Sequence, residues 1–598
     1  MELTRTPSTD TTTGSRTMAD LMAIAADKYA ERVAAQYKRD GAWHDVTFAQ
    51  VGEAVDEIAL GLIDLGIAPG DRVSLLCNTR LEWTLADFAI SSAGAVVVPI
   101  YPTNSPTECE WVAGNSESVA IVCEDASQVA KIREVHERLP KLKTIVVVDA
   151  EGDVGDAIAL DDLRARGRGR DAGELAERRE AVKPEDPFTF IYTSGTTGPP
   201  KGCVLSHGNY RSVIDMVQAS GLIADEDVTY LYLPLAHSFA LLVQLGSYDA
   251  GATIAYFGGD TKQIVVELNE VRPTYLPSVP RIFEKIYTLV TANGDPAQIK
   301  AATQVGLKVR YAEMHGEPVP DELRKHFDAA EEALFKNVRA AFGGRLRQAV
   351  TGAAPIAKEI LEFFFACGVP VLEGYGMTET ATVATYSTIE EHKFGTVGKL
   401  LKGVEGRIAE DGELLLKGAN IFQGYYKMQD ESWGAVDDGW LHTGDLGHID
   451  DEGYVSIVGR KKDIIITAGG KNLTPANLEN DLKQSRWISQ AVMHGDRRPY
   501  PVALITLDPE EIVHFAKEHG LGEDPAELAR DPKVRELVQG ILDGVNASYA
   551  QVEQIKKFVI LDHDLSQETG ELTPTLKVKR NVINEKYAGL FEELYTGG

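Results

Sequence analysis

The sequence predicts an α/β fold in which a large N-terminal domain of layered sheets and helices precedes a small C-terminal α+β domain. From about Met18, amphipathic helix-like runs alternate with short apolar runs rich in β-branched residues. Such alternation is typical of helices packed on a mainly parallel sheet. Near Arg460 the pattern changes to short strands, and residues 526–560 then read as helices followed by a strand. We therefore predict folded domains over residues 18–459 and 460–598.

The first elements illustrate this alternation. EAVDEIALGLIDLGI (residues 53–67) has the apolar spacing of an amphipathic helix, and DRVSLLC (residues 71–77) reads as a buried strand. A second helix and strand follow in LEWTLADFAISSAG and AVVVPIY. Residues 1–17 are polar and rich in threonine, without the apolar core of a signal peptide, and are predicted to form a disordered tail.

The composition excludes several classes of function. A formal charge of -30 argues against a broad nucleic-acid surface, which needs clustered basic residues. The five cysteines are scattered and lack C-x-x-C spacing, so they predict neither a disulfide framework nor a zinc site and favour a reducing cytoplasm. No window approaches the roughly eighteen consecutive apolar residues of a membrane-spanning helix, although peripheral contact with a bilayer stays open.

A glycine-rich loop follows a charged segment. Residues 149–186 contain RARGRGRD, which predicts a solvated surface excursion, and the strand DPFTFIYTS then leads into YTSGTTGPPKG (residues 192–202). The three glycines, the hydroxyl side chains and Lys201 of this loop suit a phosphate ligand. Because Lys201 precedes Gly202 and no Ser or Thr follows, the loop is not a Walker A motif. On turn chemistry alone, a flexible connection is an equal alternative.

Five further motifs follow the loop in order. They are LPLAHSFA (residues 233–240), TGAAP (351–355), EGYGMTET (373–380), WLHTGDLG (440–447) with GRKKD (459–463), and TPTLKVKR (573–580). Together with the loop they resemble the adenylate-forming superfamily of acyl-CoA synthetases, luciferases and peptide-synthetase adenylation domains. The resemblance covers nearly the whole chain. Within the superfamily, the sequence most resembles long-chain fatty acyl-CoA synthetases of the actinobacterial type.

The resemblance implies which residues contact ATP and AMP. TGAAP would form part of the adenine wall, Tyr375 would present its ring to the base, Asp445 would accept both ribose hydroxyls, and Arg460 would join the ribose and phosphate contacts. A core tyrosine and an ordinary Asx-turn are the structural alternatives for Tyr375 and Asp445. The nucleotide-binding residues implied in this way are Thr193, Ser194, Gly195, Thr196, Thr197, Gly198, Gly352, Ala353, Ala354, Pro355, Glu373, Gly374, Tyr375, Gly376, Met377, Thr378, Asp445 and Arg460.

The resemblance also implies which residues act on the reacting groups. Lys201 and Lys577 would supply positive charge around the phosphates, and Glu379, together with Thr196, would hold Mg²⁺. A helix-capping role is the alternative for Glu379. His237 is expected near the acyl and phosphate sites but not as a general base, because a carboxylate substrate is already ionised at neutral pH. A satisfied core histidine is its alternative.

A moving domain and a second substrate follow from the same resemblance. The small domain would swing about a hinge at Lys462, within GRKKD. Coenzyme A would pass along the glycine-bearing segment of Gly469, Gly470 and Lys471. Free coenzyme A is favoured over a carrier protein, because a fused carrier domain would need more chain than the sequence has after Lys577.

The predicted function is ATP-dependent activation of a long-chain fatty acid to acyl-CoA through an acyl-adenylate, with release of AMP and pyrophosphate. PTYLPSVPRIFEKIY (residues 273–287) and the GELTPTLKVKR form of the last motif resemble the long-chain branch. None of the six tryptophans lies near LPLAHSFA, so the gating tryptophan of some long-chain members has no counterpart there. A fatty acyl-AMP ligase, another carboxylate-CoA ligase and a non-catalytic nucleotide-binding regulator are the alternatives.

Overall fold

The computed structural model describes residues 12–193, 199–291, 294–468, 471–573 and 576–596. It has a mixed α/β fold with a large N-terminal domain and a smaller C-terminal domain, which confirms the predicted fold class. Within those ranges, two wide sheets and a smaller antiparallel sheet build the large domain.

The first wide sheet carries the strands that precede three of the sequence motifs. Its six central strands, from Val371–Tyr375 to Val33–Arg39, run parallel, and antiparallel strands complete both edges. In spatial order, the described strands are Lys399–Leu400, Thr385–Tyr386, Val371–Tyr375, Gln348–Thr351, Tyr275–Ser278, Val228–Leu231, Thr253–Tyr256, Val33–Arg39 and Ala42–Thr47.

The second wide sheet contains the strands predicted at the start of the chain. Arg72–Leu76 and Val96–Ile100 are parallel neighbours, and Pro187–Thr193 lies beside the latter and turns back in a hairpin. The order of the described strands is Gly424–Tyr425, Lys201–Ser206, Pro187–Thr193, Val96–Ile100, Arg72–Leu76, Ala120–Cys123, Thr144–Val147 and Ile158–Ala159. The antiparallel third sheet contains Glu405–Ile408, Glu413–Lys417, Trp440–Ile449, Val436–Asp437 and Val455–Arg460.

Helices cover these sheets. Phe48–Asp64, which contains most of the first predicted helix, starts at a Thr47 capping box and buries an apolar stripe that includes Val51, Val55 and Ile58. No helix of the described ranges is long and apolar enough to cross a membrane. The other helices described in the large domain are Met18–Lys28, Leu81–Ser92, Pro106–Asn115, Ala126–Val135, Leu160–Arg168, Ala172–Ala181, His207–Ala219, Ser238–Ala250, Ile264–Val271, Pro280–Thr291, Pro296–Met314, Asp321–Ala330, Lys336–Ala341, Lys358–Ala366 and Gln429–Ala435.

Within the charged segment of residues 149–186, the helix Leu160–Arg168 packs on the helix Phe48–Asp64, while Arg166 and Arg168 stay exposed, as predicted for a solvated surface segment. A Cβ added to Gly167 would lie 1.8 Å from the Glu57 carbonyl oxygen, so the close helix crossing requires glycine there. Arg164 Nε lies 2.8 Å from the Glu57 carboxylate. The positive charges of this segment therefore pair with the acidic face of its neighbour.

The N-terminal residues 12–17 are ordered against the large domain, although the sequence assigned them to a disordered tail. Ser15 and Thr17 are buried. Arg211 donates to the Ser15 hydroxyl at 2.9 Å, and the backbone N–H of Met18 donates to His207 Nδ1 at 3.1 Å. Hydrogen bonds to the large domain thus replace the hydrogen bonds to water that a solvated tail would make.

The small domain is built around a three-stranded sheet of Ile488–His494, Val502–Leu507 and Lys557–Ile560. Alternate residues of the central strand enter two cores, with Ala503 and Ile505 in one and Val502 and Leu504 in the other. The described part of this domain also has the strand pair Ile465–Ile466 and Asn472–Leu473 and the helices Pro475–Lys483, Ile512–His519, Pro525–Leu528, Pro532–Asn546, Arg580–Lys586 and Ala588–Thr596.

Candidate active site

The two predicted adenine-binding segments lie side by side at the carboxyl ends of parallel strands. TGAAP follows the strand Gln348–Thr351, and EGYGMTET begins in its neighbour Val371–Tyr375. Ligands of open α/β sheets bind outside such strand ends. A Cβ on Gly352 would lie 3.2 Å from the carbonyl oxygen of Gly374, so the absence of a side chain at Gly352 helps the two segments to approach closely.

The backbone of both segments has conformations that suit a ligand wall. Ala353 adopts a left-handed φ of 67°, which is uncommon for a residue with a Cβ, and Ala353, Ala354 and Pro355 are exposed. Glycine is required at Gly376, because a Cβ there would lie 1.9 Å from the carbonyl oxygen of Thr382. A flat ligand can therefore approach main-chain groups at this edge.

Glu373 places a carboxyl group at the same strand end. Burial raises the pKa of Glu373 from 4.5 to about 8. Much of this side chain is protonated at neutral pH, so it can donate as well as accept a hydrogen bond. Both capacities suit the edge of a nucleobase.

Asp445 lies within the strand Trp440–Ile449, not in the Asx-turn that was its structural alternative. The turn-like pattern reflects Gly444, whose φ is 71°, and a register shift in the strand. Asp445 Oδ2 accepts from the Tyr375 hydroxyl at 2.6 Å, and Oδ1 accepts from Arg460 Nε at 2.7 Å. Three residues predicted for nucleotide binding therefore form one hydrogen-bonded group.

Glu413 supports this group and was missed in the sequence. Its Oε1 accepts from the backbone N–H of Gly444 at 2.8 Å, and its Oε2 accepts from Lys461 Nζ at 3.2 Å. Burial alone would raise the pKa of Glu413, but these bonds and one from His442 lower it below its usual value. The available signal was an acidic residue at the start of the apolar run ELLLK.

Glu379 is buried in the short 3₁₀ helix Thr378–Thr380, directly after the extended Met377. Its Oε1 accepts from the Tyr425 hydroxyl at 2.7 Å, and Lys201 Nζ lies 5.2 Å from the centroid of the Tyr425 ring. Tyr425 thus links two residues expected to act on phosphate oxygens. Sequence reasoning missed it, because GYYKM shows only paired aromatic residues after a glycine.

The chemistry around Glu379 fits a magnesium ion. Mg²⁺ takes few protein carboxylates and completes its coordination with water and phosphate oxygens. A buried carboxylate oriented by Tyr425 offers one such oxygen ligand beside the positive charge of Lys201. Glu379 is therefore the residue that would hold the ion, and this role stays a prediction.

A hairpin carries the predicted phosphate loop. Thr193 ends the strand Pro187–Thr193 and pairs in register with Lys201, the first residue of the returning strand. Lys201 therefore lies where the chain returns from the loop to the sheet. The loop residues that lie outside the described ranges are Ser194, Gly195, Thr196, Thr197 and Gly198.

His237 caps the helix Ser238–Ala250. Its Nδ1 accepts from the backbone N–H of Phe239 at 3.2 Å, which requires an unprotonated Nδ1. Burial, reinforced by the positive charge of Lys577, lowers the pKa of His237 from 6.5 to about 4. His237 is therefore neutral near pH 7 and lies within electrostatic reach of Lys577. Its place beside the reacting groups stays a prediction.

Lys577 brings a positive charge from the small domain to this site. Protein atoms around its side chain lower the pKa of Lys577 below 10.5; Arg460 adds to this effect, and Asp445 and Glu379 oppose it. Lys577 still has access to solvent. Its backbone N–H donates to the Thr573 hydroxyl at 3.0 Å, which holds the loop that presents it.

The predicted hinge and coenzyme A segment follow the third sheet. Lys462 is exposed in the short 3₁₀ helix Lys461–Asp463 at the junction of the two domains, and its role as a hinge stays a prediction. Lys471 is exposed as well. Gly469 and Gly470 lie outside the described residues.

This arrangement has the organisation of an adenylating enzyme: a nucleotide site at strand ends, approached by a lysine from a second domain. Residues 22–426 match the AMP-binding enzyme family, and residues 462–598 match the AMP-binding enzyme C-terminal domain. The chain belongs to the AMP-binding enzyme family.

Two named relatives and two solved structures show how far the similarity extends. The long-chain-fatty-acid–CoA ligase FadD15 of Mycobacterium tuberculosis is 39% identical over 93% of both chains. The long-chain-fatty-acid–CoA ligase ACSBG2 of Xenopus laevis is 33% identical over 97% of this chain and 84% of its own. The anthranilate CoA ligase AuaEII, solved with anthranoyl-AMP, has a TM-score of 0.73 at 20% identity, covering 96% of this chain and 98% of that one. A Mycobacterium tuberculosis fatty acyl CoA synthetase has a TM-score of 0.62 at 22% identity, covering 96% and 99%.

Proposed function

We propose that this protein uses ATP to activate long-chain fatty acids to acyl-CoA through an acyl-adenylate, releasing AMP and pyrophosphate. The observation that carries the proposal is the convergence of Lys201, Glu379, Asp445, Arg460 and Lys577 from both domains on one site. The names of the two relatives support the choice of a fatty acid and coenzyme A as substrates.

In the first step the ionised carboxylate of the fatty acid attacks the α-phosphate of ATP, and the bond to the pyrophosphate oxygen breaks. Lys201 and Lys577 would stabilise the negative charge of the transferring phosphate, while Asp445 and Arg460 hold the ribose. Mg²⁺ bound at Glu379 would supply further neutralisation of the phosphate oxygens. No residue has to remove a proton, which agrees with the low pKa of about 4 at His237.

In the second step the thiol sulfur of coenzyme A attacks the acyl carbonyl, the bond to AMP breaks, and the thiol proton passes to solvent. We assign the pantetheine path to the segment of Gly469, Gly470 and Lys471. Movement of the small domain about a hinge at Lys462 would expose the adenylate to the thiol. We further propose a cytoplasmic location, in keeping with five free, buried cysteines.

Pyrophosphate release tests this function when it is measured with saturated acids of increasing length, with and without coenzyme A. We expect turnover that requires acid, is greatest for long chains and yields a thioester. An adenylate that accumulates equally without coenzyme A would identify a fatty acyl-AMP ligase instead. Equal nucleotide turnover with and without any acid would identify a nucleotide-binding regulator.

A further inference from the structure

A set of charged side chains joins the two domains at the helix Pro280–Thr291. Arg281 of this helix forms an ion pair with Asp508 of the small domain. One turn further along the helix, Lys285 Nζ lies 3.0 Å from Glu510 Oε2. Both pairs cross the domain boundary, so their geometry depends on how the domains are placed.

Two charged groups close to Arg281, Glu284 of the large domain and Lys483 of the small domain, are more enclosed. Burial raises the pKa of Glu284, against the lowering effects of Arg281 and Lys483. Burial likewise lowers the pKa of Lys483, although Glu479 and Glu284 raise it. Glu284 and Lys483 thus interact electrostatically across the domain boundary in partly desolvated surroundings, where such interactions are stronger than at an open surface.

Asp508 is held ready for its partner by its own domain. Its Oδ1 accepts from the backbone N–H groups of Glu510 and Glu511 at 3.0 and 3.1 Å, while Oδ2 pairs with Arg281. The Asp508 side chain is 12% exposed, whereas that of Arg281 is 50% exposed. The Asp508 carboxylate is therefore fixed within the small domain, and Arg281 of the large domain forms an ion pair with it.

The small-domain helix Pro475–Lys483 connects these contacts to the Lys577 loop. Lys483 ends the helix Pro475–Lys483, and Glu479 lies one turn earlier. Glu479 forms an ion pair with Arg580, three residues after Lys577, and its Oε1 accepts from the backbone N–H of Met493 at 2.6 Å. A displacement at Lys483 would therefore be transmitted to the loop that carries Lys577.

We propose that these interdomain contacts form a closure latch that positions Lys577 for adenylate formation. The latch consists of Arg281, Glu284 and Lys285 of the large domain and Lys483, Asp508 and Glu510 of the small domain. Exposed ion pairs within one domain contribute little to stability, but pairs that exist in only one domain arrangement shift the balance between arrangements. The latch residues act through Lys577, and the assignment to adenylate formation rests on the proposed function.

Charge reversal tests the latch. Arg281→Glu places like charges beside Asp508 and should slow single-turnover adenylate formation by about 10-fold or more, whereas Lys285→Glu, at a more exposed pair, should slow it by roughly 2- to 5-fold. Conversion of supplied acyl-adenylate to acyl-CoA should stay within about twofold, because that step does not use Lys577. Lys285→Glu combined with Glu510→Lys should restore adenylate formation. Equal slowing of both steps, or no rescue by the swapped pair, would overturn the proposal.

Arg530→Glu is the matched control. Arg530 pairs with Asp562 at 3.4 Å, and both residues belong to the small domain. Its reversal should leave both steps unchanged, and a loss as large as that of Arg281→Glu would reduce the latch to a general charge effect.

Domain closure can also be measured without substrates. Lys285→Cys with Glu510→Cys places two thiols where the wild-type side chains meet, and the five native cysteines are buried. A short bismaleimide should link the pair, and adding Arg281→Glu should reduce the yield several-fold. An unchanged yield would contradict the latch. Absence of acid-dependent pyrophosphate release in the wild type would contradict the proposed function instead, while the crosslinking result would still stand.

Discussion

The proposed ribose-binding group of the large domain, formed by Asp445, Tyr375 and Arg460, and the Lys577 loop of the small domain reach the same site in different ways. Asp445, Tyr375 and Arg460 are joined by direct hydrogen bonds within the large domain. Lys577 is held by backbone contacts in its own loop, and its charge acts on Asp445 and Glu379 across the domain boundary. The first arrangement forms when the large domain folds. The second also depends on the position of the small domain relative to the large one.

This difference separates the roles of the two regions. A group fixed within one domain can hold the nucleotide through every step in which it is bound. A lysine delivered by the other domain can act only in the arrangement that places it there. Changes in the ribose-binding group should therefore affect both half-reactions, whereas changes at Lys577 should affect one.

Lys577→Ala should have the largest and most selective effect. Removal of one preorganised electrostatic contact typically slows a reaction about 10²- to 10³-fold, and adenylate formation should slow by at least that amount. Supplied acyl-adenylate should still become acyl-CoA at a nearly normal rate. Single-turnover kinetics of each half-reaction on the folded variant measures both.

The charge state of Lys577 gives the same prediction a pH dependence. The charged ammonium is the active form, and its pKa lies below 10.5, so adenylate formation should fall as pH rises through that lowered value. Lys577→Ala should abolish this alkaline limb. Lys579→Ala is the control, and a greater loss with Lys579→Ala, or equal slowing of both steps by Lys577→Ala, would show that the wrong lysine is assigned.

Asp445→Ala should weaken both half-reactions. The change removes an acceptor of charge-assisted hydrogen bonds and leaves Arg460 and the Tyr375 hydroxyl without their partner. We expect the free energy with which ATP is bound and used to become less favourable by about 2 to 4 kcal/mol. Apparent ATP affinity and the rates of both steps give the measurement. Tyr375→Phe removes one donor to the same carboxylate and should cost less. Unchanged ATP affinity in folded Asp445→Ala would reduce Asp445 to a structural residue of its strand.

The sequence predicts the parts of this site whose signals are local. Gly376 marks a backbone position where the structure leaves no room for a side chain, Gly352 and Gly374 mark positions where the space is tight, and their motifs lie together at the strand ends. Helices and strands near the N-terminus were predicted from apolar spacing, which depends on short-range periodicity. Both kinds of signal require only a few neighbouring residues.

Residues brought in by pairing across a sheet were not predictable in this way. Glu413 supports Gly444 from the adjacent strand, and Tyr425 reaches Glu379 because Gly424–Tyr425 pairs with the strand after the phosphate loop. The sequence could not separate a turn from a strand at TGD, because a positive-φ glycine such as Gly444 gives the same local pattern in a turn and in a distorted strand. Register over long sequence separations decides such contacts.

Tyr425→Phe should have an intermediate effect, confined to the use of magnesium and ATP. The change removes one hydrogen bond to a carboxylate, for which about 1.5 to 3 kcal/mol is typical. A higher Mg²⁺ concentration should be needed for half-maximal adenylate formation, and calorimetry should show weaker Mg²⁺-dependent ATP binding. Tyr426→Phe is the control, since the Tyr426 ring packs on Phe190 at 4.6 Å. Equal effects of both changes would contradict the assigned role of Tyr425.

Lys462→Pro should have the smallest effect and the opposite selectivity to Lys577→Ala. Lys462 lies in a short 3₁₀ helix, where φ is typically near the value that proline fixes, so the observed arrangement should tolerate the change. A second arrangement that needs another φ would carry about 1 kcal/mol or more of backbone strain, which corresponds to roughly fivefold slower thioester formation. Adenylate formation should be nearly unchanged in the same single-turnover assay. Lys462→Ala removes the charge but leaves the backbone free, so it should retain both rates. Equal loss of both steps with proline, or equal effects of proline and alanine, would argue against a hinge at Lys462.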